Sequence, residues 1–263
     1  MLSVHNIRKN FDGAVVLDGT SFEVTAGEIV GLIGPNGSGK TTLLNILSGF
    51  LAPDSGSALL HNQQLIGLLP HDIAGQGLRR TFQLPRMPQK MSAVELMLAS
   101  VPQPMGRHAL SCLLRPGCVI REERNAIDVA LRMLVQLELQ HVASTAASAL
   151  SGGQQKLLAL GAALLGQPRL LLLDEPTAGV NQTLRRTLAD RLKTIRDEGM
   201  TLLIVEHDMG FVAEVCDRCI VLDRGKIIAD CTPYELADNP RVVEAYLGNN
   251  ASARLAAPLR QEV

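Results

Sequence analysis

Tryptophan is absent from the sequence, and aromatic residues make up only 3% of its 263 positions. Cysteine is scarce too. There are five, an odd number without framework spacing, which excludes a small disulfide-stapled scaffold and fits a reducing cytosol. Neither charge is in surplus. Lys and Arg number 25 against 26 Asp and Glu, so the whole chain lacks the electrostatic footprint of a nucleic-acid binder, and no such partner is expected. No apolar run approaches the roughly 20 residues that span a bilayer. The leucine run Leu170-Leu171-Leu172-Leu173 ends in two acids. The opening residues, MLSVHNIRKNF, hold no apolar stretch of the kind a secretory signal needs, so the chain is expected to stay soluble and in the cytosol. Internal repeats, low-complexity tracts and long heptad runs are missing as well. What remains is 46% hydrophobic and 19% charged, which is neither disordered nor collagen-like. The length suits one large α/β domain or a core domain with a lobe.

The pattern along the chain is strand, loop, helix, with a change of character in the middle. Val4, Ile7, Val15, Val16 and Leu17 are β-type residues broken by Asp12-Gly13 and Asp18-Gly19, and Ser21 to Val24 is a further short strand. Glu28 to Ile33 is a nearly continuous apolar run, the signature of a buried parallel strand, and a helix follows from about Lys40 to Ser48. Ser57 to Leu60 reads as an edge strand. Ser92 and Glu95 form a capping box that opens a helix to about Ser100. Residues 101–118 carry three Pro and two Gly and read as an insert. Ile127, Leu131, Leu134 and Leu137 mark one face of a helix over about 122–139, so residues 86–153 look like a separate helical lobe. The α/β pattern then returns. A helix runs from Ser151 to Leu165, strands cover 169–173 and 201–205, and a helix ends at Gly199. A hairpin turns at Arg224-Gly225, Thr232 and Glu235 form another capping box, and a polar tail begins near Asn249.

Gly34-Pro35-Asn36-Gly37-Ser38-Gly39-Lys40-Thr41 sits between a predicted strand and a predicted helix and matches G-x-x-x-x-G-K-[ST]. Glycines allow left-handed backbone, which turns successive N–H groups inward around phosphate oxygens. The helix that follows presents its positive end to the same anion. Lys40 adds a point charge at the β- and γ-phosphates, and the Thr41 hydroxyl is placed to ligate Mg²⁺. The run Leu170 to Leu173 ends in Asp174-Glu175. In a fold built on such a loop, this strand is expected beside the loop strand. Asp174 then holds Mg²⁺ through water, and Glu175 acts near the γ-phosphate as base or orienter of the attacking water.

Leu150-Ser151-Gly152-Gly153-Gln154 follows the lobe, about twenty residues before Asp174. Ser151 and Gln154 form a capping box, and a helix N-terminus is an anion site. Together with the phosphate loop and the acidic pair, this pentapeptide makes the chain resemble the ATP-binding cassette ATPases from about residue 2 to 248. Gln83 in Thr81-Phe82-Gln83 matches that family's glutamine loop, Ala178-Gly179-Val180-Asn181 its D-loop, and His207 in Val205-Glu206-His207-Asp208 its switch histidine. Asn181 stands where the wider family commonly has Asp, and Phe11 where it stacks an aromatic, more often Tyr, on adenine. Within the family, the stretches Leu47 to Gly56, Arg80 to Gln83, the insert at 101–121, Val205 to Met209 and Pro240 to Gly248 are similar to the ATP-binding subunits of branched-chain (hydrophobic) amino acid importers, a branch shared with urea and short-amide importers.

The resemblance implies a P-loop NTPase (RecA-like) α/β core with an N-terminal antiparallel β region and an inserted α-helical subdomain. It implies a discontinuous ATP-binding core over 1–85 and 154–248, a helical subdomain over 86–153, and a tail over 249–263. It places ATP on Phe11, Gly34, Pro35, Asn36, Gly37, Ser38, Gly39, Lys40, Thr41 and Thr42 of one chain, and on Ser151, Gly152, Gly153 and Gln154 of a second. Lys40, Gln83, Glu175 and His207 are the implied catalytic set, and Thr41, Gln83 and Asp174 the implied Mg²⁺ set. The implied partners are transmembrane permease subunits, a second ATP-binding subunit, and indirectly a soluble substrate-binding protein, with the chain peripheral on the cytoplasmic face of the inner membrane. The permease groove is expected near Gln83, with Leu84, Pro85, Met87 and Met91. An exporter and a non-transport nucleotide switch are the rival readings. A DNA-repair ATPase would need coiled-coil insertions and a translation factor a second phosphate loop, and the sequence has neither.

Other features carry less. Cys216-x-x-Cys219 reads as core thiols and His61, His71, His108 and His141 as surface residues, while Arg79-Arg80 and Arg185-Arg186 are expected to be solvated.

Overall fold

The structure is a computed structural model that describes residues 1–81, 87–102 and 116–247. Gln83 with Phe82, Leu84 and Pro85, most of the 101–118 insert with His108, and the tail from Asn249 lie outside the described residues. The chain forms two compact units. One takes residues up to 82, 168–178 and 189 onward, and the other takes 83–167 and 179–188. The second unit is wider than the 86–153 read from sequence, because the helix that begins after Ser151 falls within it.

In the first unit, β1 (Leu2–Phe11) and β2 (Ala14–Val24) make a long antiparallel hairpin. The Asp18-Gly19 signal does not end β2. Gly19, at φ +77, is the extra residue of a bulge between the Ile7–Thr20 and Arg8–Asp18 pairs. β4 (Ser55–Leu60) pairs with the other side of β1. It is not the edge, because the two-residue β5 (Gln63–Gln64) covers it.

The second sheet is built on β3 (Ile29–Ile33), β6 (Leu78–Thr81), β7 (Leu170–Asp174), β8 (Thr201–Val205), β9 (Arg218–Asp223) and β10 (Lys226–Cys231), in the order β10-β9-β3-β8-β7-β6. All neighbours are parallel except β10 on β9. Every residue of β3, β7 and β8 is buried, which is why these strands are unbroken apolar runs rather than alternating ones. β7 is not beside β3, as the sequence reading has it. β8 lies between them, paired with β3 along one edge and β7 along the other. The register still brings the strand ends level, since Val205 pairs with Leu32 on one side and Asp174 on the other. Gly31 in β3 is a close approach. A Cβ there would stand 3.1 Å from the Cys216 sulfur and 3.4 Å from that of Cys219.

α1 (Lys40–Leu47) follows the phosphate loop and buries Leu43, Leu44, Ile46 and Leu47. Three short helices also belong to this unit: α2 (Pro70–Gly75), α7 (Met209–Val215) and α8 (Pro240–Leu247).

The second unit is helical, with α3 (Ala93–Ser100), α4 (Pro116–Gln136), α5 (Gly152–Leu165) and the start of α6 (Gln182–Asp197). The expected capping box at Ser92 and Glu95 is present. The apolar face of α4 differs from the one read from sequence. Ile127 and Leu131 are exposed, and Ala126, Ala130, Leu134 and Leu137 are buried. Small residues mark the inner face because the helices approach closely. A Cβ on Gly161 of α5 would stand 2.5 Å from both Leu137 Cδ1 and Met97 Cε. No helix among the described residues is long and apolar enough to cross a membrane.

Candidate nucleotide-binding and hydrolysis site

The phosphate loop joins β3 to α1. Gly34, Gly37 and Gly39 have φ of +151, +80 and +108. Two of them are also required by space. A side chain on Gly34 would collide with the Leu222 carbonyl, and one on Gly39 would stand 2.7 Å from Leu17 Cδ2 and 2.8 Å from the Val16 oxygen. The loop is pinned from outside where the Gly225 N–H donates to the Ser38 oxygen at 3.0 Å. α1 starts after Gly39 without a side-chain cap, so its first-turn N–H groups are left for another acceptor.

Lys40 folds back on this loop. Its Nζ donates to the oxygens of Gly34 at 2.8 Å and Pro35 at 2.9 Å. Burial pushes its pKa below the usual lysine value, against the opposing pull of Glu175 and Asp174. Carbonyl dipoles hold the ammonium here. Phosphate oxygens are stronger, charged acceptors at the same place.

Strand ends supply the acids. Asp174, 8% exposed, accepts from Arg80 Nη2 at 2.8 Å. The Arg80 Nη1 donates to Asn45 Oδ1 at 2.7 Å and Ser48 Oγ at 3.0 Å. This corrects the reading of Arg80 as a solvated partner of Arg79. Its side chain is 5% exposed and ties α1 to the end of β7. The sequence signal is faint because Asp174 is 94 positions away.

Glu175 adopts φ +45, unusual for a residue with a Cβ. Its N–H donates to the Val205 oxygen at 2.9 Å, and its own oxygen accepts from Ala178 N–H at 3.2 Å. His207 follows β8 with its side chain 62% exposed and Nδ1 3.9 Å from Glu175 Oε1, a charge contact only when the imidazole is protonated. Glu206, between β8 and His207, is fully buried and passes unnoticed in the sequence. Lys40, Asp174, Glu175 and His207 thus lie in one unit, at the carboxyl ends of β3, β7 and β8 or just beyond them. At the tip of β1, the Phe11 ring is 43% exposed, with Lys9 Nζ 5.4 Å from its centroid.

In the second unit, Ser151 caps α5. Its Oγ accepts from the Gln154 N–H at 3.4 Å, and Gln154 Oε1 accepts from the Ser151 N–H and hydroxyl, both at 3.1 Å. Gly152 has open space around it, while a Cβ on Gly153 would stand 2.7 Å from Leu184 Cδ1. Asn181 Oδ1 accepts from the Leu184 N–H at 2.9 Å, so this D-loop residue caps the start of α6.

The donor set suits Mg²⁺ arriving with phosphates. No group of three or more His, Cys, Asp or Glu among the described residues could hold a metal ion on its own. Thr41 and Asp174 offer the oxygen ligands with which Mg²⁺ is held when phosphates supply the rest. Cys216 and Cys219 are buried and free, as expected of core thiols. Burial pushes Cys219 up to about 12 and Cys216 well above its usual value.

Residues 17–178 match the profile of the ABC transporter family. The chain is 36% identical over 249 residues to the high-affinity branched-chain amino acid transport ATP-binding protein BraF of Pseudomonas aeruginosa, covering 94% of this chain and 98% of that one. It is 37% identical to LivG of Escherichia coli K12, described in the same words, with the same coverage. A solved ATP-binding cassette of an ABC transporter in its ADP conformation superposes with a TM-score of 0.80 at 33% identity, covering 95% of this chain and 99% of that one. A nucleotide-free cassette superposes at 0.78 and 33%, covering 94% and 98%.

Proposed function

The chain belongs to the ABC transporter family, and from that premise we propose that it is the ATP-hydrolysing subunit of an importer for branched-chain or other hydrophobic amino acids. The observation that carries this reading is the convergence of Lys40, Asp174, Glu175 and His207 on the carboxyl edge of one sheet, beside an uncapped helix N-terminus. The names of full-length relatives such as BraF and LivG support the choice of solute.

ATP lies with its phosphates in the loop from Gly34 to Thr42 and its adenine on Phe11. Lys40 leaves the carbonyls of Gly34 and Pro35 for the β- and γ-phosphates. Glu175 orients the attacking water and accepts its proton as the bond to the γ-phosphorus forms. His207, with most of its side chain exposed, contacts the γ-phosphate, and Gln83 completes the set. Mg²⁺, held by Thr41 and Asp174 with Gln83, supplies charge neutralisation at the phosphates when bound. Catalysis is mainly positioning and electrostatic stabilisation.

Ser151 to Gln154 act on the nucleotide of a second cassette subunit, in a head-to-tail dimer whose partner is this chain or a close relative. The dimer docks peripherally on permease subunits at the cytoplasmic face of the membrane, fed by a soluble substrate-binding protein. Met87 and Met91, both half-buried, remain available for the permease groove.

Uptake of radiolabelled leucine and urea by cells lacking the gene tests the assignment. Loss of leucine uptake, restored by the wild-type gene but not by Glu175→Gln, is expected. Loss of urea uptake alone would move the protein to the urea branch.

A further inference from the structure

Glu206 has no role in the account above, yet among the described residues it is the only glutamate in the buried polar set, with no exposed surface. A carboxylate removed from water needs compensating donors, and those donors show what it does. Its Oε1 accepts from the Thr177 N–H at 2.8 Å and from the Thr177 hydroxyl at 2.6 Å. Its Oε2 accepts from the His207 N–H at 3.1 Å. Thr177 stands two positions after Glu175, and His207 is the next residue in the chain. The two arms of one carboxylate therefore grip the segments that carry the base and the switch histidine.

We propose that Glu206 is a positioning residue for ATP hydrolysis, a buried clasp that fixes the backbone of Glu175 and the backbone of His207 relative to one another. The inference rests on the function proposed above. Glu175 needs such support. Its φ of +45 is sparsely populated for a residue with a Cβ and persists only where its surroundings determine it. Four hydrogen bonds do so: Glu175 N–H to the Val205 oxygen, Ala178 N–H to the Glu175 oxygen, and the Thr177 N–H and hydroxyl to Glu206.

His207 needs a different kind of support. Its Nδ1 is 3.9 Å from both Glu175 Oε1 and Glu206 Oε2, beyond hydrogen-bond distance, and its ring is largely exposed. The main chain is held while the imidazole stays free to turn toward a phosphate. A hydrogen bond to an ionised acceptor is roughly twice as strong as a neutral one. The clasp is thus stiffer than a threonine or amide at this position would make it. None of its three donors belongs to the phosphate loop, so breaking the clasp is expected to act on the rate far more than on nucleotide affinity.

The experiment uses the full chain and separates rate from affinity. In Glu206→Gln one acceptor becomes an NH₂ group, which must face either Thr177 or the His207 N–H. Misplacement of this order costs about 10²-fold in kcat, with ATP affinity unchanged. Thr177→Val removes the hydroxyl arm and is expected to lower kcat less, while Thr177→Ser restores the arm and the wild-type rate. Equal losses of ATP affinity and kcat in Glu206→Gln would mark Glu206 as a structural anchor and overturn the proposal. So would wild-type kcat in Glu206→Gln, or indistinguishable rates for Thr177→Val and Thr177→Ser. If Glu206→Gln does not fold, the threonine pair decides alone. Failure of the functional reading looks different: the wild-type chain then hydrolyses no ATP, or Glu175→Gln leaves turnover unchanged.

Discussion

Two helices in this protein begin with glycine-rich anion-type sequences, and they begin differently. α1 starts after Gly39 in left-handed backbone with no side chain on its N–H groups. α5 starts at Ser151 with its N-terminus closed by its own residues, through bonds of 3.1 and 3.4 Å. The first is a preorganised cradle in which only Lys40 must move for an anion to enter. The second satisfies itself and must exchange long, weak internal bonds for a phosphate. A cradle of the first kind suits a nucleotide held through the cycle. An end of the second kind suits a contact that is made and released, as the proposed ATP-driven dimer requires. The glycines agree. Gly34 and Gly39 are fixed by backbone and space, whereas Gly152 has nothing within 4 Å and no positive φ, so the fold alone does not demand glycine there.

The largest expected effect removes the chemistry and leaves both helix starts alone. Glu175→Gln should lower steady-state ATPase by about 10²–10⁴-fold while ATP binding is kept and the ATP-bound dimer persists. Size-exclusion chromatography with ATP reads the dimer, and unchanged turnover would remove Glu175 from the mechanism.

Next comes the tie beneath the α1 cradle. Arg80→Met strands the buried Asp174 carboxylate and frees Asn45 and Ser48, so the loss should be about 3–5 kcal/mol in denaturant unfolding. A loss under about 1 kcal/mol would mean that the pair behaves as a surface bridge.

The comparison is sharpened by one alanine at each helix start. Gly39→Ala should cost about 1–3 kcal/mol, because φ +108 and the Leu17 and Val16 contacts both oppose a Cβ. Gly152→Ala should stay within about 0.5 kcal/mol and still depress ATPase. A stability loss at Gly152 equal to that at Gly39 would erase the distinction.

The smallest effect concerns pH at the far end of β3. Burial works to raise the Glu28 pKa, but the bonds from Arg218 and Thr25 outweigh it and hold the carboxyl below its usual 4.5. The folded value is lower than the unfolded one, so the contribution is present above the unfolded value and is lost as pH falls through the folded value. The stability difference between wild type and Glu28→Gln should therefore be constant near neutral pH and shrink below about pH 4.5.

What was legible in the sequence was local. The phosphate loop is one contiguous stretch whose glycines, lysine and flanking elements sit within a few positions of one another, and the capping boxes at Ser92 and Ser151 span three residues each. What escaped depends on distant partners. Arg80 meets Asp174 across 94 positions and Glu206 meets Thr177 across 29, so neither Arg80 nor Glu206 differs locally from a solvated charge. Strand order escaped for the same reason, since nothing in Thr201–Val205 states that it separates β3 from β7. The helical periodicity finds Leu134 and Leu137 on the buried side of α4 but not Ala126 and Ala130, because apolar bulk at Ile127 and Leu131 outweighs two small residues in the pattern.

The central claim is that the open start of α1 in one chain and the closed start of α5 in another share a single ATP. Mixing purified Lys40→Ala and Ser151→Arg chains tests it most directly. Each mutant alone lacks one half of both sites and should show no ATPase. Every mixed dimer has one intact site, built from Lys40 of the Ser151→Arg chain and Ser151 of the Lys40→Ala chain, so mixing should restore turnover that neither parent shows. Mixed dimers that form, verified by differential tagging, yet hydrolyse no more ATP than their parents would contradict the shared site.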